Sequence, residues 1–355
     1  MCGIFGMVGT LQEENYSEAH AILCNIFKAS VSRGGDSSGF SAIHLDKPGV
    51  LITEKRPIDS GKFVSRSSKF KSLRGNMPNI VIGHTRLSTS GNPNRNRNNH
   101  PFNSQRYSLV HNGGIREWPQ AVKSLDIPMR TETDSEILLH LLERTDDPHK
   151  SIQNIINSVG DGSRIAIAAI DYAKEKPNLL MFRNNSNDIF VMSHPGFNVM
   201  FFASTKAILQ KGLELTFGEK SKKHIEKNRV IIDKTDSFLS QEIGISDDNG
   251  APYVISENRI EEKPYYKVII PTYPGGRSPI PRYPLSKLPA SSVVKSDIDI
   301  FKALNSDDMP NQTRKDVLRL SKVIRTSGEI LRSIRDNDYM SAEEIADYES
   351  WRDIV

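Results

Sequence analysis

Two cysteines occur in 355 residues, Cys2 and Cys24, so no disulfide framework and no cysteine-based zinc site is supported. A lone cysteine is ordinarily a small buried hydrophobe. Cys2 differs by its position. Removal of Met1 leaves an α-amine beside the Cys2 thiol, and an amine of intrinsic pKa about 7.7 to 8.0 serves as a general base near neutral pH. One residue then supplies nucleophile and base, provided that the terminus is immobilised.

Four further segments carry the polar groups such a nucleophile needs. G-H-T-R-L-S-T at 83–89 follows the apolar run 80–82, which sets Arg86 just beyond a strand end, where its planar fork suits an α-carboxylate. V-H-N-G-G at 110–114 also ends a strand. There the Asn112 amide and the Gly113 backbone N–H suit a two-donor oxyanion hole, and the competing reading is an Asn-Gly hairpin turn. T-E-T-D-S-E at 131–136 precedes an amphipathic helix, so Thr133 or Asp134 caps it, or Asp134 receives a substrate ammonium. R-G-G-D-S-S-G at 33–39 reads equally as a helix-to-strand turn.

The elements that must position these groups follow from hydrophobic periodicity. Residues 2–8 read as a buried strand, and Ala19, Ile22, Leu23, Ile26 and Phe27 mark a helix within 14–32. Strands are expected at 38–45, 50–54, 79–83, 107–111, 164–171, 178–182, 188–192 and 198–203, and helices at 134–144 and 150–159. Strands, then two helices, then strands again suggest sheet layers with helices packed outside. Seven prolines between 264 and 289 favour an extended strap or linker. Beyond it, Val317, Leu320, Ile324, Leu331 and Ile334 form a helical seam, and Ser341 with Glu344 marks a last short helix ending near Trp351. Two regions are therefore expected, 1–243 and an extension at 244–355.

Lys plus Arg at 47 against Asp plus Glu at 43 give no case for nucleic acid or a membrane surface. No apolar run approaches the roughly 18 residues of a membrane span, and the N-terminus lacks a signal-peptide pattern, so a cytoplasmic location is expected. The nine histidines show no tight ligand spacing, and neither a Walker sequence nor a dinucleotide fingerprint occurs, so no metal and no cofactor are expected. The stretch 32–37 shares letters with the S-G-G-x-D-S loop of ATP-pyrophosphatases, but its spacing is broken.

Taken together and in this order, M-C-G-I-F-G at 1–6, R-G-G-D-S-S-G at 33–39, G-H-T-R-L-S-T at 83–89, N-N-H-P-F at 98–102, H-N-G at 111–113 and T-E-T-D-S-E at 131–136 closely resemble the N-terminal-nucleophile glutaminase domain of class II glutamine amidotransferases. Residues 2–240 are similar to the glutaminase domains of glucosamine-6-phosphate synthase and asparagine synthetase. The resemblance implies an α+β fold, a four-layer αββα sandwich, in which L-glutamine forms a γ-glutamyl thioester on Cys2 and is released as glutamate and ammonia. It also implies Cys2 as nucleophile and base, and Asn112 and Gly113 as the oxyanion hole. Arg86, with the loop through Thr89, takes the carboxylate, Asp134 takes the ammonium, and Arg33 supports the nucleophile end. Leu87 follows the asparagine-synthetase pattern, whereas Ser90 stands where the sugar-phosphate enzyme has histidine, so the motifs single out no acceptor. Loop 91–99 is either a gate over the glutamine pocket or a solvated polar loop.

The region after 243 is short for a complete ammonia-using domain. The expected function is a glutaminase subunit that passes ammonia to a separate synthase, with the tail docking on that partner or on a second copy. The alternatives are a stand-alone amidase on γ-glutamyl compounds and a non-catalytic structural or regulatory protein.

Overall fold

The computed structural model describes residues 2–160, 162–185 and 187–261. The proline strap expected at 264–289 and the helices expected near 317–334 and 341–351 lie outside the described residues. In chain order the described elements are β1 (Gly3–Gly9), α1 (Tyr16–Ala29), β2 (Ser37–Ile43), β3 (Ile52–Arg56), α2 (Ser60–Arg66), α3 (Ser68–Ser72), β4 (Ile80–Arg86), β5 (Phe102–Asn103), β6 (Tyr107–Gly114), α4 (Trp118–Ser124), α5 (Ser135–Leu142) and α6 (Pro148–Ser158). They continue as β7 (Arg164–Asp171), β8 (Asn178–Arg183), β9 (Phe190–His194), β10 (Val199–Ala203), α7 (Lys206–Phe217), α8 (Ser221–Asn228), β11 (Ile231–Lys234), β12 (Leu239–Ile245) and β13 (Pro252–Arg259).

Two antiparallel sheets result. One runs β11-β9-β10-β1-β4-β2-β3, and the other runs β13-β12-β8-β7-β6-β5. The apolar runs are strands buried on both faces, and the two-residue period splits each between two cores. In β1, Phe5 and Met7 pack toward α1 and α7, while Ile4 and Val8 join the layer between the sheets. In β7, Ile165, Ile167 and Ala169 pack with α5 and α6, while Ala166, Ala168 and Ile170 face the inter-sheet layer. Three stacked cores make the architecture an αββα sandwich, as the resemblance implies.

The long periodic elements form within a few residues of their expected bounds. The short helices α2, α3 and α4, the pair α7 and α8, and strands β11 to β13 were not foreseen. Their apolar stripes are weak, and some are started by caps: Asp59 accepts from Lys62 N, Ser67 from Phe70 N and Thr205 from Ile208 N. Sheet pairing continues past residue 243, since β12 spans that position and pairs with β13 as far as Arg259. Among the described residues, no helix is long and apolar enough to cross a membrane.

Candidate active site

Strand β1 enters between β10 and β4, with Gly3 opposite Thr85. Continuing that register sets Cys2 level with Arg86, the last residue of β4. The Arg33 Nε donates to the Cys2 carbonyl at 3.2 Å, which ties the chain start to the turn after α1. The half-buried Cys2 thiol donates to the Leu87 carbonyl at 3.5 Å. Burial raises its pKa and Asp134 adds to that rise, while contact with the Leu87 main chain and the Arg86 charge oppose it. A neutral thiol of this kind needs a base before it attacks.

Asn112 and Gly113 do not form a hairpin turn. They lie inside β6, opposite Ala166 and Ile165 of β7. A Cβ at Gly113 would sit 1.8 Å from the Arg164 carbonyl, so only glycine permits this approach of the two strands. Asn112 is 1 % exposed and its Nδ2 has no hydrogen-bond partner among the described residues. Its carbonyl accepts from Asn187 Nδ2 at 2.8 Å.

Histidines brace the floor. His84 is held neutral, its pKa pushed by burial to about 3, so its Nε2–H donates to the His111 carbonyl at 3.0 Å. Burial likewise lowers His111. Its Nε2–H donates to the Arg164 carbonyl at 3.2 Å, and its Nδ1 accepts from Ser135 Oγ at 2.9 Å, coupling the end of β6 to the start of α5. His100 stacks on His84 with ring centroids 4.0 Å apart.

Asp134 stands at the start of α5 but makes no side-chain cap there, and its Oδ2 accepts from Ile115 N at 2.7 Å. The carboxylate acts on both Cys2 and Arg86 through space. Thr133 hydrogen-bonds Thr131 at 3.0 Å, so it does not cap α5 either. Glu136 orders this segment. Fully buried, it accepts from Arg130 N at 2.9 Å, Arg130 Nε at 2.8 Å and Thr131 N at 2.7 Å. Burial pushes its pKa up, but these donors outweigh it and hold the group ionised.

Loop 91–99 is built rather than merely solvated. Arg86 Nη1 donates to the buried Asn99 Oδ1 at 2.8 Å, and Nη2 donates to the Ser90 carbonyl and, at 3.1 Å, to the Gly91 carbonyl. Lys55 Nζ donates to the Asn99 and Pro101 carbonyls at 2.6 and 2.9 Å, and its burial brings its pKa down to about 8. Glu132 gathers Arg95, Arg97, Asn98 Nδ2 and the Asn92 N–H, and its pKa falls to about 2, chiefly through the Asn92 N–H.

The structure thus brings Cys2, Arg33, Arg86, Asn112, Gly113 and Asp134 to one end of the sandwich, while Thr89 is exposed on the loop above. Asn99, Lys55, Glu136 and Asn187 escaped sequence reasoning as parts of this site. N-N-H-P-F marked the region of Asn99, but no local signal marked Asn187. Among the described residues, no group of three or more His, Cys, Asp or Glu is arranged to hold a metal ion.

No protein-family model matches the chain. It is 30% identical over 216 residues to a glutamine–fructose-6-phosphate aminotransferase (isomerizing) of Helicobacter pylori, covering 59% of this chain and 33% of that protein. It is also 30% identical over 246 residues to the enzyme of the same description from Staphylococcus aureus, covering 67% of this chain and 37% of that one. The chain therefore spans about a third of the length of these curated relatives. Among solved structures, the allosteric regulatory enzyme of purine biosynthesis aligns with a TM-score of 0.50 at 18% identity, over 72% of this chain and 49% of that one, a likeness of fold.

Proposed function

This chain belongs with the class II glutamine amidotransferases through their glutaminase domain, and we propose that it cleaves the side-chain amide of L-glutamine. After loss of Met1, the Cys2 amine takes the thiol proton and the sulfur attacks the amide carbon. The oxyanion that forms is met by Asn112 Nδ2 and the Gly113 N–H. Collapse to a γ-glutamyl thioester expels the nitrogen as ammonia, the proton being returned by the same amine, and water then releases glutamate. Arg86 and Asp134 supply opposite charges for the substrate's carboxylate and ammonium. Arg33, on the Cys2 carbonyl, keeps the nucleophile end in register.

The observation that carries this reading is the buried Asn112 amide nitrogen. A buried donor without a partner is costly, and it stands beside Gly113, whose neighbours forbid a side chain. The ammonia is proposed to serve a synthase on another polypeptide or in a homo-oligomer. The test is glutamate and ammonia release by full-length protein whose Met1 loss is verified by intact mass, with and without copurified partner. Covalent labelling of Cys2 by a diazoketone analogue of glutamine is expected as well. Protein proven to lack Met1 that neither turns over glutamine nor takes the label, with or without partner, refutes the reading.

A further inference from the structure

Gly113 stands opposite Ile165 of β7. Ile165 gives its N–H to Asn184 Oδ1 at 3.1 Å and its carbonyl accepts from Asn184 N at 2.9 Å, so both of its main-chain groups turn toward β8. In an antiparallel ladder the facing residue then turns away as well, which leaves the Gly113 N–H on the open side of β6. Strand β5 does not close that side, since it pairs only with Ser108 and Leu109. The Asn112 carbonyl, at the other end of the same peptide group, points the opposite way and accepts from Asn187 Nδ2 at 2.8 Å. Asn187 is 4 % exposed, and the chain on either side of it is fastened. Asn184 Nδ2 donates to the Ser163 carbonyl at 2.6 Å, while Asp188 Oδ1 accepts from Arg183 Nη1 at 3.3 Å and meets Lys234 Nζ at 2.8 Å.

We propose that Asn187 is a positioning residue that acts on the oxyanion hole through the peptide group joining Asn112 to Gly113. This deepens the glutaminase reading and rests on it. A trans peptide is planar, so a bond that holds the Asn112 carbonyl also fixes the direction of the Gly113 N–H. A donor on the carbonyl polarises the peptide as well, and makes that N–H a stronger donor in its turn. The same bond holds the main chain from which Asn112 Nδ2 projects, the buried donor that has no partner among the described residues. Both donors are thereby set before charge develops on the substrate oxygen, and Asn187 needs no contact with substrate to set them.

The experiment compares Asn187→Ala and Asn187→Asp with wild type in the full chain freed of Met1. The aspartate keeps the shape of the side chain, but its carboxylate has no proton to donate. Both variants are expected to lower kcat for L-glutamine roughly tenfold and to leave KM within about twofold. Two inhibitors separate this role from a structural one. L-Glutamate γ-semialdehyde reacts with the Cys2 sulfur, which bonds to the aldehyde carbon while the C=O π pair moves to oxygen and the thiol proton goes to the Cys2 amine, so its adduct places an oxyanion in the hole. L-Glutamate binds without forming that adduct. The inhibition constant of the semialdehyde is expected to rise by the same factor as kcat falls, and that of L-glutamate to stay within about twofold. A kcat within twofold of wild type in either variant, an equal weakening of both inhibitors, or an Asn187→Asp chain that is unfolded at the assay temperature overturns the proposal and leaves the glutaminase reading standing. Absence of glutamine turnover in Met1-free wild type, with or without partner, overturns both.

Discussion

The two walls of the candidate site are held by different means. On one, Cys2, Arg86, Asn112 and Gly113 sit in or beside β1, β4 and β6, whose positions are set by continuous main-chain ladders and apolar layers on both faces. On the other, loop 91–99 and segment 130–134 have little regular structure and are fastened by a few side chains, Glu132, Asn98, Asn99, Lys55 and Glu136. A ladder spreads its strength over many bonds. A side-chain network depends on single atoms, so one substitution there shifts geometry without unfolding the domain. Chemistry is thus expected on the rigid wall and substrate admission on the adjustable one.

The sharpest way to break that comparison is at the nucleophile. Cys2→Ala is expected to abolish glutamine turnover while leaving the unfolding temperature unchanged, and protein that keeps Met1 is expected to be equally inactive, because its Cys2 nitrogen is an amide. Undiminished turnover with Met1 shown present by intact mass sinks the single-residue mechanism. Next, Asn112→Ala is expected to lower kcat roughly 10²- to 10³-fold with little change in KM. If steady-state kinetics show a rise in KM instead, Asn112 belongs to substrate binding and the assignment of walls fails.

Acid probes the rigid wall through its buried histidines. Burial depresses the pKa of His84, His100 and His111 in the folded chain. As pH drops below about 6.5 the unfolded chain therefore takes up protons first, so stability is full above that pH and is lost on the way down toward about 3 for His84. His84 alone is expected to cost roughly 2 kcal/mol between pH 6.5 and 5, read as a falling urea midpoint. A midpoint that stays level over that range contradicts the neutral floor. The smallest effect is expected on the adjustable wall. Asn99→Ala removes one acceptor of Arg86 and is expected to raise KM about tenfold with kcat preserved. A fall in kcat with constant KM shows instead that the loop takes part in the chemistry.

The apolar runs around Ile4, Ile82, Val110 and Ile167 made the strands of the sandwich readable, since a strand buried on both faces needs no partner to reveal its length. The hairpin β12–β13 and helix α8 were not readable in this way, since their apolar content makes sense only against the sheet or helix they pack on. Around the site, Cys2, Arg86, Asn112 and Asp134 were legible because each stands in a short motif next to a strand or helix end. Asn99 and Asn187 are separated in sequence from Arg86 and Asn112 and touch them only once the chain is folded.

From its residues alone this chain determined the chemistry on offer: one early thiol, an Asn-Gly pair, and an arginine and an aspartate at element ends. These follow from local composition and periodicity, which act along the chain. Which of two local readings held was decided only by tertiary structure. Asn112-Gly113 became strand rather than turn because β7 pairs across it, Asp134 turned to Ile115 rather than capping α5, and the polar loop closed on Arg86 and Glu132. The meeting of Asn187 with the peptide between Asn112 and Gly113 is of the same kind. The two asparagines are 75 residues apart in sequence, and only the ladders from β6 through β7 to β8 bring them to one place.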